Sequence, residues 1–349
     1  MPTAETTDSP EALPSTDTSA GSPGVEYRVL REACGLIDRS ERGKLALSGA
    51  GAVEFLNGQI TNELAGLRSG EGCYAAFLTH KGKMLGDLRV LAVGEGQLQA
   101  PSELLLDTER VALQALFDMI RRFKVGYDVQ LSKRTVESCL FSLVGPESGA
   151  VLARAAPDAP ELPDTEHAHR RAHIAGRPVR LIRTASPPGV DVLCDAADGE
   201  SIADALRAAG AQPVSEAVGE IVRVEHGRPR YGVDLDDSVI PQEAGLNDRA
   251  VSFTKGCYVG QETVARLHYK GKPNRHLRGL RLAALPATGE ELQLAERTVG
   301  RVGSAVLSPE LGPIALALVR REAEPGTSVA VGERGASAEV TALPFIAEA

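Results

Sequence analysis

The C-terminal part of the chain is a series of short apolar segments separated by glycine and proline. These segments are residues 280–282, 301–307, 314–319, 328–331 and 338–342. Short strands at regular spacing with turn residues between them are typical of a small β-barrel, in which closure of the sheet removes exposed strand edges. We therefore predict a C-terminal β-barrel.

The region before the barrel mixes strand and helix patterns. Residues 42–48 alternate polar and apolar side chains as a strand does, and residues 50–60 then carry apolar side chains at helical spacing. Residues 73–79 and 85–93 have strand patterns and are joined by a turn at residues 80–83 that contains two lysines. This mixture indicates the α+β class.

Residues 107–123 have the clearest helical pattern. Apolar side chains from Leu113 to Phe123 recur at intervals of three and four residues, and Asp107 can serve as the N-cap. We interpret this apolar stripe as part of the core rather than as a cofactor site.

Residues 155–176 show little periodicity, and we predict a loop or a connection between lobes there. The segment contains His167, His169 and His173, which could suggest a metal site. Metal sites need a shaped and supported ligand set, and Glu166 is the one acid at ligand spacing. We therefore expect no metal ion.

Ser215 can cap a helix whose apolar stripe includes Val218 and Val222, and Glu225 falls on the same stripe. A carboxylate on the inward face of a helix is costly unless it is paired or hydrogen-bonded. Two interpretations stay open. Glu225 either pairs with a neighbouring arginine, or it holds the amino-pyrimidine edge of a pterin, whose adjacent N–H donors suit a carboxylate.

The composition argues against two classes of protein. The chain has 349 residues, enough for two or three domains, and a formal net charge of -9. An acidic protein lacks the cations that neutralise phosphates, so we expect no direct binding of nucleic acid. No stretch approaches the length of apolar sequence that spans a bilayer, so we expect no membrane association.

Residues 1–24 are rich in Ser, Thr, Pro and acids. Such a segment cannot bury enough apolar surface to offset the entropy of ordering, so we predict a disordered tail. It has neither the basic region nor the apolar region of a secretory signal, and we expect a cytoplasmic protein.

Cys257 lies between a cation and a segment that can begin a helix. Lys255 precedes it by two residues, and residues 261–266 follow it. A nearby ammonium and the free N–H groups of a helix N-terminus both favour a reactive thiolate. The alternative is a small buried side chain between two turn glycines. The five cysteines include no C-x-x-C pair, so neither a disulfide framework nor a structural zinc site is indicated.

Residues 255–262, KGCYVGQE, resemble the K-G-C-[FY]-x-G-Q-E signature of the YgfZ-like folate-binding proteins, which are relatives of the glycine cleavage T-protein. Every specified position matches. Residues 49–63 and 223–234 are similar to two further segments of T-protein relatives, and the resemblance extends over residues 26–345.

The resemblance implies a T-protein-like (GcvT-like) folate-binding fold in three parts. After the tail at residues 1–24, a folate-binding domain at 25–274 would contain two related α+β lobes around a central channel. The lobes would span about residues 25–150 and 175–274. A small β-barrel domain at 275–349 would close one side of the channel.

The resemblance also implies tetrahydrofolate, or a one-carbon derivative, as the cofactor. The leading expectation is an accessory protein that supports assembly or repair of iron-sulfur clusters through a reactive cysteine. Its partners would be folate and iron-sulfur client enzymes or assembly proteins, including radical enzymes that modify tRNA. The alternative is a tetrahydrofolate-dependent aminomethyl- or methyltransferase of the T-protein type, so whether the chain is an enzyme stays open.

Ten residues are candidates for the site. The reactive groups would be Cys257, the neighbouring Lys255 and Asp87, which stands after Gly86 where many T-proteins carry two consecutive acids. The residues expected to contact the cofactor or to order its loop are Glu225, Arg223, Tyr231, Gln261, Glu262, Arg266 and Arg42.

Overall fold

The computed structural model describes residues 21–94, 96, 99–333 and 335–346. The helices in this part of the chain are α1 (Pro23–Glu32), α2 (Ala52–Asn57), α3 (Leu113–Phe123), α4 (Ser148–Ala155), α5 (Gly199–Ala208), α6 (Glu216–Glu225), α7 (Asn247–Ala250) and α8 (Gln261–Lys270). None of these helices is long and apolar enough to cross a membrane. The predicted tail at residues 1–24 lies mostly outside the described residues, although Pro23 and Gly24 belong to α1.

The strands before the barrel form two sheets. They are β1 (Gly35–Asp38), β2 (Gly43–Ser48), β3 (Gly72–Leu78), β4 (Met84–Val93), β5 (Glu103–Thr108), β6 (Gln130–Lys133), β7 (Ser138–Val144), β8 (His169–Ile174), β9 (Arg177–Ala185), β10 (Pro188–Asp195) and β11 (Gln212–Pro213). The first sheet has the order β3-β4-β5-β2-β6, and the second has the order β11-β1-β7-β10-β9-β8. The α+β class is therefore confirmed.

The two sheets do not follow the expected lobe boundaries. Strands β1 and β7 lie within residues 25–150, but they pair with each other and with strands of the second sheet. The chain begins in the second sheet, builds the first sheet and then returns. Hydrogen-bonded pairing between strands far apart in sequence causes this arrangement, which local patterns do not encode.

The core of the first sheet consists of apolar side chains from its strands and from α2 and α3. Leu45, Phe55, Leu88 and Leu116 are at most 1% exposed and belong to one cluster. Burial of each such side chain contributes roughly 1.5–3 kcal/mol, so this cluster holds the helices against the strands. Strand β4 is buried along nearly its whole length, including its two charged residues, Asp87 and Arg89.

The predicted helix at residues 107–123 begins later than expected. Asp107 lies in β5 rather than at an N-cap, and α3 starts at Leu113 after a single turn of 3-10 helix at Arg110–Ala112. The prediction failed because Asp107 is held by cross-strand pairing and by buried ion pairs. Phe123, predicted to lie on the apolar stripe, is 46% exposed.

The predicted loop at residues 155–176 contains strand β8, which pairs with β9 at the edge of the second sheet. Polar residues obscured its alternation, since Arg171 and His173 are exposed, and the half-buried Arg170 lies on the same face as the buried Ala172 and Ile174. By contrast, α6 begins directly after Ser215 and α8 begins at Gln261, as predicted.

The C-terminal strands close into the predicted barrel. They are β12 (Arg275–Leu282), β13 (Glu291–Leu294), β14 (Arg297–Ser308), β15 (Gly312–Arg320), β16 (Ser328–Val331) and β17 (Ala336–Thr341), in the order β12-β15-β14-β13-β16-β17. Helix α6 packs against β14 and β15 and joins the barrel to the second sheet. The segment that contains α7 and α8 packs against β3 and the start of β4.

Candidate functional site

A polar cleft lies where the two sheets meet. Its lining includes Tyr74, Asp87 and Arg89 from the first sheet and Asp191 from the second sheet. Arg249 enters from α7. The cleft has a volume of about 160 Å³. It brings together charged groups from distant parts of the chain in a largely buried position.

Asp87 is one of four acids that line this cleft, with Asp107, Glu166 and Asp191. Its carboxyl is 5% exposed, and the Tyr74 hydroxyl donates a hydrogen bond of 2.6 Å to Oδ2. Burial raises the pKa of Asp87 from 3.8 to about 6, because the charged form loses its hydration. The negative charge of Glu109 raises this pKa further, while the Tyr74 hydrogen bond opposes the rise. Asp87 can therefore change protonation state near neutral pH.

Arg249 packs against the ring of Tyr74. The guanidinium of Arg249 lies 4.4 Å from the centre of the Tyr74 ring, a cation–π contact. Arg249 also forms a bidentate ion pair with Glu166, in which Nε lies 3.2 Å from one carboxylate oxygen. Glu166, Arg249, Tyr74 and Asp87 thus form one connected series of contacts.

A network of buried ion pairs lines the cleft and joins the two sheets. Arg89 on β4 contacts Asp191 on β10 at 2.7 Å and Asp107 on β5 at 2.8 Å. Ser142 donates a hydrogen bond of 2.6 Å to Asp191. Burial acts to raise the pKa of Asp107, but the positive charges of Arg42 and Arg89 outweigh it and hold the pKa below its ordinary value. These acids are committed to arginines, whereas Asp87 has no ion pair among the described residues.

Arg42 lies at the cleft as an ion-pair partner. Its Nε lies 2.8 Å from Asp107, and a second nitrogen contacts Glu109. Of the ten predicted site residues, the structure brings Arg42 and Asp87 together here. The other eight do not line this cleft.

Glu225 is buried elsewhere, between α1, α6 and the barrel. It is 0% exposed, and Oε1 accepts hydrogen bonds from Tyr27 at 2.9 Å and Ser308 at 2.6 Å. The hydrogen-bond partners of this carboxyl are two hydroxyls rather than an arginine, and Oε2 has no hydrogen-bond partner among the described residues. Contact between Glu225 and a pterin stays a prediction. Burial also raises the pKa of Glu225, which favours the neutral form.

Arg223 and Tyr231 also have structural contacts. Arg223 pairs with Asp234 at 3.0 Å and donates a hydrogen bond of 2.5 Å to Ser304 of the barrel. The Tyr231 hydroxyl lies 3.4 Å from the carbonyl oxygen of Met84. Both residues connect the segment after α6 to its surroundings rather than to the cleft.

The ammonium of Lys255 is bound by oxygen atoms near the end of α2. This buried ammonium donates hydrogen bonds of 2.6–3.0 Å to the carbonyl oxygens of Asn57, Ile60 and Asn62, and another of 3.0 Å to the Asn57 side chain. Burial lowers the pKa of Lys255 to about 8. The ammonium anchors the segment after α2, while Cys257 is exposed to solvent.

Gln261, Glu262 and Arg266 lie on α8. Gly260 at the N-cap has a φ of 84°, and a Cβ at this position would come within 2.6 Å of the Thr79 carbonyl oxygen. The glycine therefore allows α8 to begin against the turn between β3 and β4. Within the described residues, no group of three or more His, Cys, Asp or Glu side chains is placed to hold a metal ion.

Sequence reasoning missed Tyr74, Arg89, Glu166, Asp191 and Arg249. One available signal was the spacing of Asp87 and Arg89, two charges on the same face of an otherwise apolar strand. Such charges must find partners when both faces of the strand are buried. No comparable signal marked Glu166 or Arg249, which meet through the tertiary fold.

A second and larger cavity of about 510 Å³ also lies between the sheets. It shares Arg89, Asp107 and Leu140 with the cleft. Apolar residues such as Leu105 and Ile182 make up much of its lining, and Asp87 does not reach it. The smaller cleft is the better candidate site because it contains Asp87, whose pKa is raised to about 6 by burial.

Known proteins resemble this chain over nearly its full length. An aminomethyltransferase of Streptomyces avermitilis is 32% identical over 341 residues, which cover 93% of this chain and 90% of that protein. An aminomethyltransferase of Corynebacterium aurimucosum is 29% identical, covering 92% of this chain and 89% of that protein. The crystal structure of glycine cleavage system aminomethyltransferase T from Bartonella henselae matches with a TM-score of 0.80 at 24% identity, over 93% of this chain and 89% of that chain.

These relatives correct the leading functional expectation. The chain was expected to be an accessory protein for iron-sulfur clusters, but its full-length relatives are named aminomethyltransferases. Cys257 is exposed and does not line the cleft.

Two family models match most of the chain. The GCVT N-terminal domain matches residues 8–255, and the glycine cleavage T-protein C-terminal barrel domain matches residues 275–346. The Bartonella henselae structure has the same fold, and the predicted T-protein-like fold is confirmed. The aminomethyltransferase family uses tetrahydrofolate, the cofactor expected from the sequence. This chain belongs to the glycine cleavage T-protein (GCVT) family.

Proposed function

We propose that this protein is a tetrahydrofolate-dependent aminomethyltransferase of the glycine cleavage T-protein type. The observation that carries the proposal is the Asp87 carboxyl, which lines the cleft, has no ion-pair partner among the described residues and has a pKa of about 6. Transfer of a one-carbon unit to an amine requires removal of a proton, and a carboxyl with this pKa suits that task.

The cleft suits the ring end of a folate. In the described part of the chain, Nε of Arg89 and both ring nitrogens of His167 are buried without hydrogen-bond partners, and a polar heterocycle would supply them. Leu88, Leu140 and Val144 add apolar contact area. The volume of about 160 Å³ is below the range of roughly 300–1,000 Å³ that is usual for whole ligand pockets, so the remainder of the folate would extend outside.

Bound tetrahydrofolate would supply the amine nitrogen that receives the one-carbon unit. Asp87 would accept a proton from the ligand at Oδ1, because Tyr74 already donates to Oδ2. With a pKa of about 6, the carboxyl is mostly ionised at pH 7.5 and can still return the proton readily.

Arg249 has a positioning role in this proposal. Its ion pair with Glu166 fixes the guanidinium, and the guanidinium in turn packs on the Tyr74 ring. Tyr74 then orients the Asp87 carboxyl through its hydrogen bond. Restriction of the carboxyl to one orientation lowers the entropy cost of reaching a reactive arrangement.

Within the family, we place the chain in the YgfZ-like branch on the basis of the KGCYVGQE segment at residues 255–262. This placement is a statement about ancestry, and it does not imply that the protein takes part in iron-sulfur chemistry. We also propose that the folate-binding region precedes residue 275 and that the barrel follows it. We propose a cytoplasmic location for the protein.

The proposal is tested by measuring binding and turnover in the same variants. Calorimetry would measure tetrahydrofolate binding, and a second assay would follow ammonia release and formation of methylene-tetrahydrofolate from an aminomethyl-thiol donor. We expect wild type to bind and turn over, and Asp87→Asn to lose about 100-fold or more in turnover while it retains binding.

Cys257→Ala is the matched control, because the thiol is exposed outside the cleft. It should keep both activities. Wild-type turnover in Asp87→Asn would refute the role of the carboxyl. Loss of turnover in Cys257→Ala would show that the thiol takes part in the reaction. Absence of folate binding and turnover in wild type would refute the proposed function itself.

A further inference from the structure

The imidazole of His167 is buried in the Asp87 cleft without a hydrogen-bond partner. The residue is 7% exposed and lines the cleft, and neither ring nitrogen has a partner among the described residues. Nε2 lies 3.7 Å from Glu166 Oε1, too far for a hydrogen bond. A buried polar group without a partner destabilises a fold, so its position needs another explanation.

The backbone around His167 keeps the ring in this position. His167 has a φ of 67°, in the left-handed region that is unfavourable for residues other than glycine. Its N–H donates to the Arg183 carbonyl oxygen at 3.0 Å, and the Arg183 N–H donates to Ala168 at 2.8 Å. Such strain persists where the surroundings over-determine it, and it is concentrated at functional sites.

Burial keeps the imidazole of His167 neutral. It lowers the pKa of His167 to about 3; the negative charge of Glu166 opposes this change, and the positive charges of Arg89 and Arg249 add to it. The acids nearby are already committed, Glu166 to Arg249 and Asp191 to Arg89. A neutral imidazole has one N–H donor and one nitrogen acceptor, and here both are unused.

We propose that His167 is a ligand-binding residue whose neutral ring forms hydrogen bonds with the heterocycle of the bound folate. This inference rests on the proposed function and deepens it. The ligand must present polar ring atoms at this wall of the cleft, so a heterocycle with N–H and carbonyl groups fits better than an apolar ring of the same size.

Calorimetric titration with tetrahydrofolate tests the proposal on wild type, His167→Phe, His167→Gln and the control His169→Phe. His169 is a suitable control because it is 1% exposed and does not line the cleft. Its Nδ1 accepts a hydrogen bond of 2.8 Å from Arg180, while its Nε2, like the ring nitrogens of His167, has no partner among the described residues. His167→Phe keeps a ring of similar shape but removes both hydrogen-bonding atoms, whereas His167→Gln retains a donor and an acceptor.

We expect His167→Phe to bind about 3- to 10-fold more weakly than wild type, the effect of one lost hydrogen bond. Its melting temperature should be unchanged or higher, since an unpartnered polar group has been removed. His167→Gln should recover part of the affinity, and His169→Phe should bind as wild type does. Equal affinity in wild type and His167→Phe would overturn the inference and leave the proposed function intact.

A second measurement does not depend on the variants. In wild-type protein with nitrogen-15-labelled histidine, saturation with tetrahydrofolate should shift the ring nitrogen resonances of His167, assigned from their loss in His167→Gln. Unchanged resonances despite saturable binding would also overturn the inference. No tetrahydrofolate binding by wild type would overturn both the inference and the proposed function.

Discussion

Replacement of Asp87 by asparagine should stabilise the fold at neutral pH while it removes the proposed proton acceptor. The carboxyl is 5% exposed and receives one side-chain hydrogen bond, from Tyr74. Asparagine has nearly the same shape and no charge, and its carbonyl oxygen can accept the same hydrogen bond. Functional groups that carry unfavourable charges commonly cost stability in this way.

The magnitude follows from the pKa of Asp87. Burial, the largest cause, raises the value from 3.8 to about 6, a difference of about 2 pKa units, or about 3 kcal/mol. Because the folded-state pKa lies above the unfolded value, the folded protein holds more protons between these two pH values. The free energy of unfolding therefore falls as the pH rises through this window. Asparagine has no ionisable group, so the free energy of unfolding of the variant does not fall for this reason as the pH rises.

Urea unfolding followed by circular dichroism would measure the effect. Asp87→Asn should be more stable than wild type by up to about 3 kcal/mol at pH 7.5, and by about 1 kcal/mol at pH 4.5. Asp107→Asn is the matched control with the opposite sign. The pKa of Asp107 is below its ordinary value because Arg42 and Arg89 outweigh burial, so its loss should destabilise the protein at pH 7.5 and less so under acid.

An equal or lower free energy of unfolding for Asp87→Asn at pH 7.5 would refute this reasoning. It would mean that the ionised carboxyl is solvated or paired in the folded protein. A gain that does not change with pH would also refute it, since the source would then be packing rather than charge.

Two further predictions concern residues outside the cleft. Lys255→Met should lower the free energy of unfolding by about 3 kcal/mol in a urea titration, because the acceptors around the buried ammonium lose their donor; unchanged stability would contradict the anchoring role. Glu225→Gln should bind tetrahydrofolate with wild-type affinity in calorimetry, because Gln can still accept the hydrogen bonds of Tyr27 and Ser308 outside the cleft. A tenfold loss of affinity would place Glu225 in the ligand site.

The fold could be predicted well where the pattern is local. The C-terminal strands were recognisable from their spacing, and the start of α8 at Gln261 followed from the residues around Gly260. The prediction failed for β8, because its exposed residues are arginine and histidine. It also failed for the start of α3, because Asp107 lies in a strand and forms an ion pair instead of capping the helix.

The candidate site was only partly predictable. Asp87 was predicted from the resemblance to T-protein relatives, which carry acids after the equivalent turn, and it lies in the cleft. Helical spacing correctly placed Glu225 on a buried face, but spacing along one helix does not identify the groups opposite it. For Lys255, proximity in sequence to Cys257 did not indicate that the flexible side chain reaches acceptors at the end of α2.

By itself, the sequence determined the α+β class, the barrel and the start of α8, since apolar periodicity and glycine positions act over a few residues. Tertiary structure alone decided which charges meet. Arg89 and Asp191 are 102 residues apart in the chain and 2.7 Å apart in the cleft. Their contact depends on the pairing of two sheets built from distant segments, and through it the fold surrounds Asp87 with the environment that raises its pKa.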